Sequence, residues 1–382
     1  ENPDILVGLF HAGIDASYGS GDEIIENASL LVAEQVPGFD VIFTGHDHKD
    51  TDMEVKGPDG NTVHVVGALD DGRSVAVATV DFDYNEETGD YSTAVDGETV
   101  MMDQYRADEE FLSEFQFAKQ EVKDYVSTPI GNFTKTISTR NAMFGDSAFV
   151  DLIHTVQLEI TGADVSFAAP LSFDATIEEG RIHVRDMFNL YKYENLLYSM
   201  ELTGRQIKDF LEYSYGGWMS TMEGPGSHMI NFETDENGEL IWNDRYSSYE
   251  LVTRYYNYDS AAGIDYTVDL SKEQGNRISI KGFTDGRPFE MDKTYTVAIN
   301  SYRGNGGGGH LVRGAGIPDD ELDDHVKSST IKDLRYLLMK WIEKHGTVEP
   351  QANNNWTVEP ADWVRRARET DYGLLYEGDR VE

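Results

Sequence analysis

Two short apolar runs flank one amphipathic helix near the start of the chain, and this constrains the fold more than any other feature. Residues 4–10, Asp-Ile-Leu-Val-Gly-Leu-Phe, have the length and near-unbroken apolarity of a buried strand. Residues 24–35 place Ile24, Ile25, Ala28, Leu31 and Val32 on one helical face, and Pro37-Gly38 ends that helix. Residues 39–44 form a second buried strand. Strand, helix, strand predicts a βαβ unit, so the chain opens as α/β. Strand-like runs follow at 63–69, 74–83 and 89–102.

Three histidines lie where such a unit exposes its chemistry. His11 follows the first strand, and His46 and His48 follow the second through Gly45. In open α/β sheets, sites form at the carboxyl ends of strands. Three imidazoles at one sheet edge fit a centre for a borderline divalent metal. The chain has no Cys, which excludes disulfides, thiolate ligands and Cys nucleophiles.

Residues 105–126 are polar, with Phe111, Phe115, Phe117 and Val122 spaced among charges, and read as a solvated helix between two domains. A second globular region begins near Pro129. Helices are expected around 146–160, 204–215 and 328–345 among strand-rich segments, with a Gly-rich loop over 222–245. The boundaries are drawn at 1–103, 104–127 and 128–382. With 39% hydrophobic residues, including 21 Tyr and 17 Phe, the chain can fill sizeable cores. No stretch is apolar enough to span a membrane, and no targeting signal is visible in these residues. A formal net charge of −39 argues against a nucleic-acid polymer as partner, since its phosphates would be repelled. A small anion remains compatible, because a metal or an Arg can invert the field at one site.

The runs Leu9-Phe10-His11-Ala12-Gly13, Glu26-Asn27 and Asp40-Val41-Ile42-Phe43-Thr44-Gly45-His46-Asp47-His48 resemble the second half of a calcineurin-like metallophosphoesterase domain. The nearest branch is the 5′-nucleotidase and 2′,3′-cyclic-nucleotide 2′-phosphodiesterase/3′-nucleotidase family. The resemblance continues through Phe188–Asn195, Met200–Gly204, Asn257-Tyr258-Asp259, Gly263–Tyr266, Gly275–Ile278 and Asn300–Gly308, in family order. It implies an α/β and α+β chain. A partial αββα-type metal domain is followed by a 5′-nucleotidase C-terminal-type domain, and the 105–126 helix serves as a hinge. It implies two divalent ions (Zn, Mn, Mg or Co), with His11 and His46 on one and His48 on the other. The family's Asp-x-His, Gly-Asp and Gly-Asn-His-Glu/Asp motifs, the last bearing the catalytic histidine, do not occur in these residues. The chain alone is therefore expected to bind metal weakly and to catalyse poorly.

For the second domain the resemblance implies that Tyr193 and Tyr302 clamp a base. Asn195, Arg303, Asn305, Gly306 and Gly307 would complete a nucleotide or nucleoside site, and Arg140 would add positive charge. A flat base stacks well on aromatic rings, and glycines let a ligand approach the backbone closely. The Tyr-x-Tyr-x-Asn and Asn-x-Tyr-Arg forms look like the cyclic-phosphodiesterase/3′-nucleotidase branch. So does Gly308, where many 5′-nucleotidases carry a ribose-binding Asp. Their Gly-Gly-Ile-Arg motif is replaced by Ala168-Ala169-Pro170-Leu171-Ser172-Phe173. The resemblance places the protein in the periplasm or at the cell surface. Two other readings stay open: a non-catalytic nucleoside-binding module, and a metallophosphatase for a non-nucleotide ester. No P-loop, Gly-x-Ser-x-Gly or dinucleotide fingerprint is present.

Overall fold

The computed structural model describes residues 3–15, 27–87, 89–243 and 247–378. The chain divides into two compact units, Glu1–Phe117 and Ala118–Glu382.

In the first unit, β1 (Val7–Leu9), α1 (Ser29–Gln35) and β2 (Val41–Thr44) form the expected βαβ unit, with Val7 in register with Val41. Residues 24–26 of the expected helix lie outside the described residues. The strands β3 (Thr51–Lys56) and β4 (Thr62–Gly67) complete a four-stranded sheet of order β1-β2-β4-β3, in which only β3 is antiparallel to its neighbour. Ala33, Ile42, Val63 and Val65 fill a small core between helix and sheet. A two-stranded ribbon follows, β5 (Ser74–Asn85) against β6 (Asp90–Met101). The single helix expected over 105–126 is two helices, α2 (Glu109–Glu114) and α3 (Gln116–Val126), with no buried residue in either. Asp108 caps α2 by accepting the Phe111 N–H at 2.7 Å.

The second unit contains α4 (Ala148–Thr161), β7 (Val165–Ala168), β8 (Leu196–Thr203), α5 (Gly204–Trp218), β9 (Ser260–Ala262), β10 (Ile264–Asp269), β11 (Ile278–Phe283), β12 (Thr294–Asn300), α6 (Ser301–Gly304), β13 (Val326–Asp333), α7 (Leu334–His345), β14 (Trp356–Glu359) and α8 (Ala361–Tyr376). The main sheet runs β9-β7-β12-β8-β13, and β11-β10-β14 form a smaller one. A further small sheet joins Pro129–Phe133, Gly180–His183 and Thr347–Val348. Helix α5 starts in a capping box between Thr203 and Gln206. Its far end is closed by Arg277, which donates to the carbonyls of Tyr215 (3.3 Å) and Met219 (2.6 Å). The expected helix at 328–345 is corrected: residues 326–333 are a strand, and Asp333 caps the helix by accepting the Tyr336 N–H at 3.0 Å. His154 is structural, as expected. Its two ring nitrogens lie 2.9 and 3.1 Å from the Ser166 and Ser260 hydroxyls, and burial pushes its pKa down to about 3. Among the described residues no helix is long and apolar enough to cross a membrane.

One buried carboxyl makes the second unit pH-sensitive. Asp151 on α4 accepts the Asn353 N–H at 2.7 Å, and Asp146 accepts the Asn354 N–H at 2.6 Å. Burial, with the Asp146 carboxylate beside it, pushes the Asp151 pKa up to about 8. A raised carboxyl pKa gives stability that is fully present below the unfolded value near 4 and is lost as pH rises through about 8. Asp151→Asn keeps an acceptor for Asn353 and removes the charge. We expect it to be about 1–3 kcal/mol more stable than the parent at pH 9 and equal to it near pH 4. Urea unfolding at the two pH values is the check, and equal stability at pH 9 would refute the expectation.

Candidate functional site

In the first unit, the loop after β1 and the loop after β2 are tied together by main-chain and carboxylate contacts. The Gly45 N–H donates to the Ala12 carbonyl (3.2 Å), and buried Asp47 accepts the Ile14 N–H (3.0 Å). Asn27 accepts the Gly13 N–H at 2.7 Å. Because Asp47 points inward, its neighbours His46 and His48 are held nearer the surface, both with left-handed backbone (φ 66° and 56°). Non-glycine residues rarely adopt that region, and such strain concentrates at functional loops.

The structure brings two of the three predicted ligands together. His46 Nδ1 and His11 Nε2 lie 3.3 Å apart. Two ligand nitrogens on a tetrahedral zinc, each at about 2.0–2.1 Å, are separated by roughly 3.3 Å, so this pair fits one ion. His48 Nδ1 lies 3.2 Å from Asp70 Oδ2. Asp70 also pairs with Arg73. Among the described residues no three His, Asp or Glu converge as a metal cluster.

In the second unit, strand direction gathers the candidate nucleotide residues at one edge of the main sheet. β12 runs parallel to β7 and antiparallel to β8, with Asn300 opposite Leu197. Tyr193 and Asn195 therefore enter β8 at the edge where Tyr302 and the glycine loop leave β12. The Leu196 N–H donates to Ser301 Oγ at 3.0 Å and joins the two segments directly. Residues 169–173 leave β7 at the same edge, and residues 255–259 enter β9 there, Ser260 lying opposite Ala168.

Tyr193 and Tyr302 are 38% and 46% exposed, so both rings are open to solvent rather than packed in a core. Asn195 Nδ2 donates to the Tyr191 hydroxyl at 3.4 Å, and the Asn195 main-chain carbonyl accepts the Leu334 N–H at 2.8 Å. Asn305 is exposed, and Gly306 has φ 89°. A Cβ at Gly307 would come 2.5 Å from Tyr302 Cε2, so the loop backbone presses against that ring.

Both arginines expected at the substrate are engaged by the protein. Arg303, expected at the substrate, is 1% exposed and uses all five N–H donors within the protein. Arg140 forms a two-pronged pair with Asp174 (2.7 and 2.6 Å), raising the Arg140 pKa and holding Asp174 below the usual carboxylate range. Arg140, expected to add positive charge, thus shares that charge with Asp174. The sequence reading missed Arg335 as well. It donates to Glu194 Oε1 (2.8 Å) and the Lys192 carbonyl (3.0 Å), fixing the stretch that carries Tyr193. Its position at the start of α7 was the available signal.

Residues 129–313 match the family described as 5′-nucleotidase, C-terminal domain. The trifunctional nucleotide phosphoesterase protein YfkN of Bacillus subtilis is 25% identical over 94% of this chain and 26% of its own length. A Salmonella typhimurium protein named 2′,3′-cyclic-nucleotide 2′-phosphodiesterase/3′-nucleotidase is 26% identical over 94% of the chain and 59% of its own length. The chain thus spans between a quarter and three fifths of these relatives. A solved Staphylococcus aureus structure assigned as a 5′-nucleotidase, in complex with α-ketoglutarate, superimposes with a TM-score of 0.66. It covers 93% of this chain and 64% of the other at 19% identity, and so shares the fold.

Proposed function

We propose, from the match of residues 129–313 to the 5′-nucleotidase C-terminal domain family, that the chain serves in the hydrolysis of nucleotide phosphate esters. The two phenol rings hold the base, and the glycine loop lies against the nucleoside. The observation that carries this reading is the pair of exposed tyrosines gathered at one sheet edge beside a glycine-rich loop. The relatives' names favour 2′,3′-cyclic and 3′-nucleotides, with 5′-nucleotides as the second class. Gly308 supports that order. As a glycine, this position offers no carboxylate to a ribose diol, and its space is taken by Arg303 Nη1. In this proposal the domains are 1–103, 104–127 and 128–382, and the protein acts outside the cytoplasm.

His11 and His46 would hold one divalent ion and His48 would contribute to a second. Such ions make bound water more acidic and polarise a phosphoryl oxygen. Asp47 fixes the two loops, and Asp70 takes Nδ1 of His48, leaving Nε2 as the ligand atom. The remaining ligands and the catalytic histidine are not in these residues. The chain alone should therefore bind nucleoside without turning over 2′,3′-cyclic AMP at ordinary enzyme rates of about 1–10³ s⁻¹.

Calorimetry with adenosine tests the clamp. Stacking contributes roughly 1–3 kcal/mol per aromatic, so Tyr193→Ala and Tyr302→Ala should each weaken binding about 5- to 150-fold. Unchanged affinity in both variants would favour a phosphatase for non-nucleotide esters. Turnover at full rate by the chain alone would show that its own residues suffice for catalysis.

A further inference from the structure

We infer that Arg303 is the positioning residue of the nucleoside clamp, a buried fork that sets the glycine loop and, through it, the Tyr302 ring. This rests on the clamp reading above.

Arg303 and Tyr302 are adjacent on α6, a single turn whose cap Asn300 accepts the Arg303 N–H at 2.9 Å. Successive helical residues point about 100° apart, so Tyr302 faces out while Arg303 faces in. Its Nε and Nη2 donate to Asp259 Oδ2 at 3.1 and 2.6 Å, and Nη2 also reaches the Tyr256 carbonyl at 2.8 Å. Nη1 donates to Asn257 Oδ1 at 2.9 Å and to the Gly307 carbonyl at 2.8 Å. That last bond fixes the part of the loop that lies against the Tyr302 ring. The guanidinium carbon is 5.3 Å from the centroid of that ring. His310 braces the far side, with Nε2 donating to the Asn257 carbonyl at 3.0 Å.

Two features argue that the web is kept for geometry rather than for stability. A buried ion pair is, in general, no more stabilising than apolar residues of the same volume. This one also leaves Asp259 Oδ1 buried without a hydrogen-bond partner among the described residues. Gly308 belongs to the same device, since a Cβ there would overlap Arg303 Nη1 and lie 2.5 Å from Asn257 Oδ1.

The test uses Arg303→Lys, Gly308→Ala and the double variant of the whole chain, read by amide hydrogen exchange and by adenosine titration. Lysine keeps the charge opposite Asp259 but cannot reproduce the planar five-donor fork. We expect exchange at 304–310 to accelerate about tenfold and adenosine affinity to fall about tenfold, the scale of one lost charge-assisted hydrogen bond. The amides of 294–300 should keep their protection, which general loss of structure would not allow. The double variant should be no worse than the more affected single variant, because both changes act on the same guanidinium and the loop it holds. Unchanged exchange and affinity in Arg303→Lys, or effects that multiply in the double variant, would overturn the inference. If Arg303→Lys does not fold, Gly308→Ala with intact loop protection and affinity overturns it alone. If the parent chain binds no adenosine, the clamp reading fails, and loop exchange still decides the role of Arg303.

Discussion

Asp259→Ala is expected to destabilise the second unit by about 3–5 kcal/mol, the usual effect of removing one partner from a buried pair. Asp259 and Arg303 are 0% and 1% exposed, so water cannot take the place of the missing carboxylate. Arg303 would lose both contacts to Asp259 Oδ2 and keep a positive charge deep in the protein. At roughly 2–4 °C per kcal/mol for a domain of this size, the melting temperature should fall by about 10 °C. Replacing both partners, Asp259→Leu with Arg303→Met, should recover most of the stability, because neither charge then needs solvation. Unfolding in urea measures all three proteins. A loss below about 1 kcal/mol in Asp259→Ala would mean that solvent reaches the pair.

The second large effect concerns salt. Seventy acidic residues face 31 Lys and Arg, and several of those cations are already committed to fixed pairs such as Arg140–Asp174 and Arg335–Glu194. What remains is a surface whose like charges repel at every separation within a Debye length. That length shrinks from about 10 Å at 0.1 M salt to about 3 Å at 1 M. Compaction brings those charges together, so screening favours the folded state. Raising KCl from about 0.05 M to 1 M should stabilise the chain by about 3 kcal/mol or more, which is roughly 10 °C in melting temperature. Sucrose at matched osmolarity separates screening from exclusion effects. A melting temperature that is flat in KCl would show that the acidic residues are spaced too widely to matter.

Legibility in the sequence followed the range of each interaction. The βαβ unit could be read because its signals are local: an apolar run, a helical period and a Pro-Gly stop. Strand β3 was missed although Thr51, Met53 and Val55 alternate as a strand should. The strand at 326–333 was taken for helix because it is a polar edge strand, and its sequence, Val-Lys-Ser-Ser-Thr-Ile-Lys-Asp, lacks the regular alternation of a half-buried strand. Helix α8 was not recognised, although Val364, Ala367, Asp371 and Leu374 are spaced as on one helical face.

The candidate site divides the same way. His11 and His46 could be placed together because glycine marks both strand ends, and the structure puts their nitrogens 3.3 Å apart. The tyrosines could be placed by motif. The surroundings of the two arginines could not be read, because their partners lie far along the chain. Asp259 is 44 residues from Arg303, and Asp174 is 34 residues from Arg140. A guanidinium facing a ligand and one locked inside the protein look identical until the fold supplies the partner.

The crowding between positions 303 and 308 also bears on how such a chain can drift over time. A mutation that gives residue 308 any side chain meets a guanidinium already occupying that space. Loss of the arginine alone leaves a carboxylate stranded in the interior. Neither position can vary first without harm. Positions 259, 303 and 308 are therefore coupled: a side chain at 308 needs the guanidinium out of its way, and loss of the guanidinium in turn needs the charge at 259 removed.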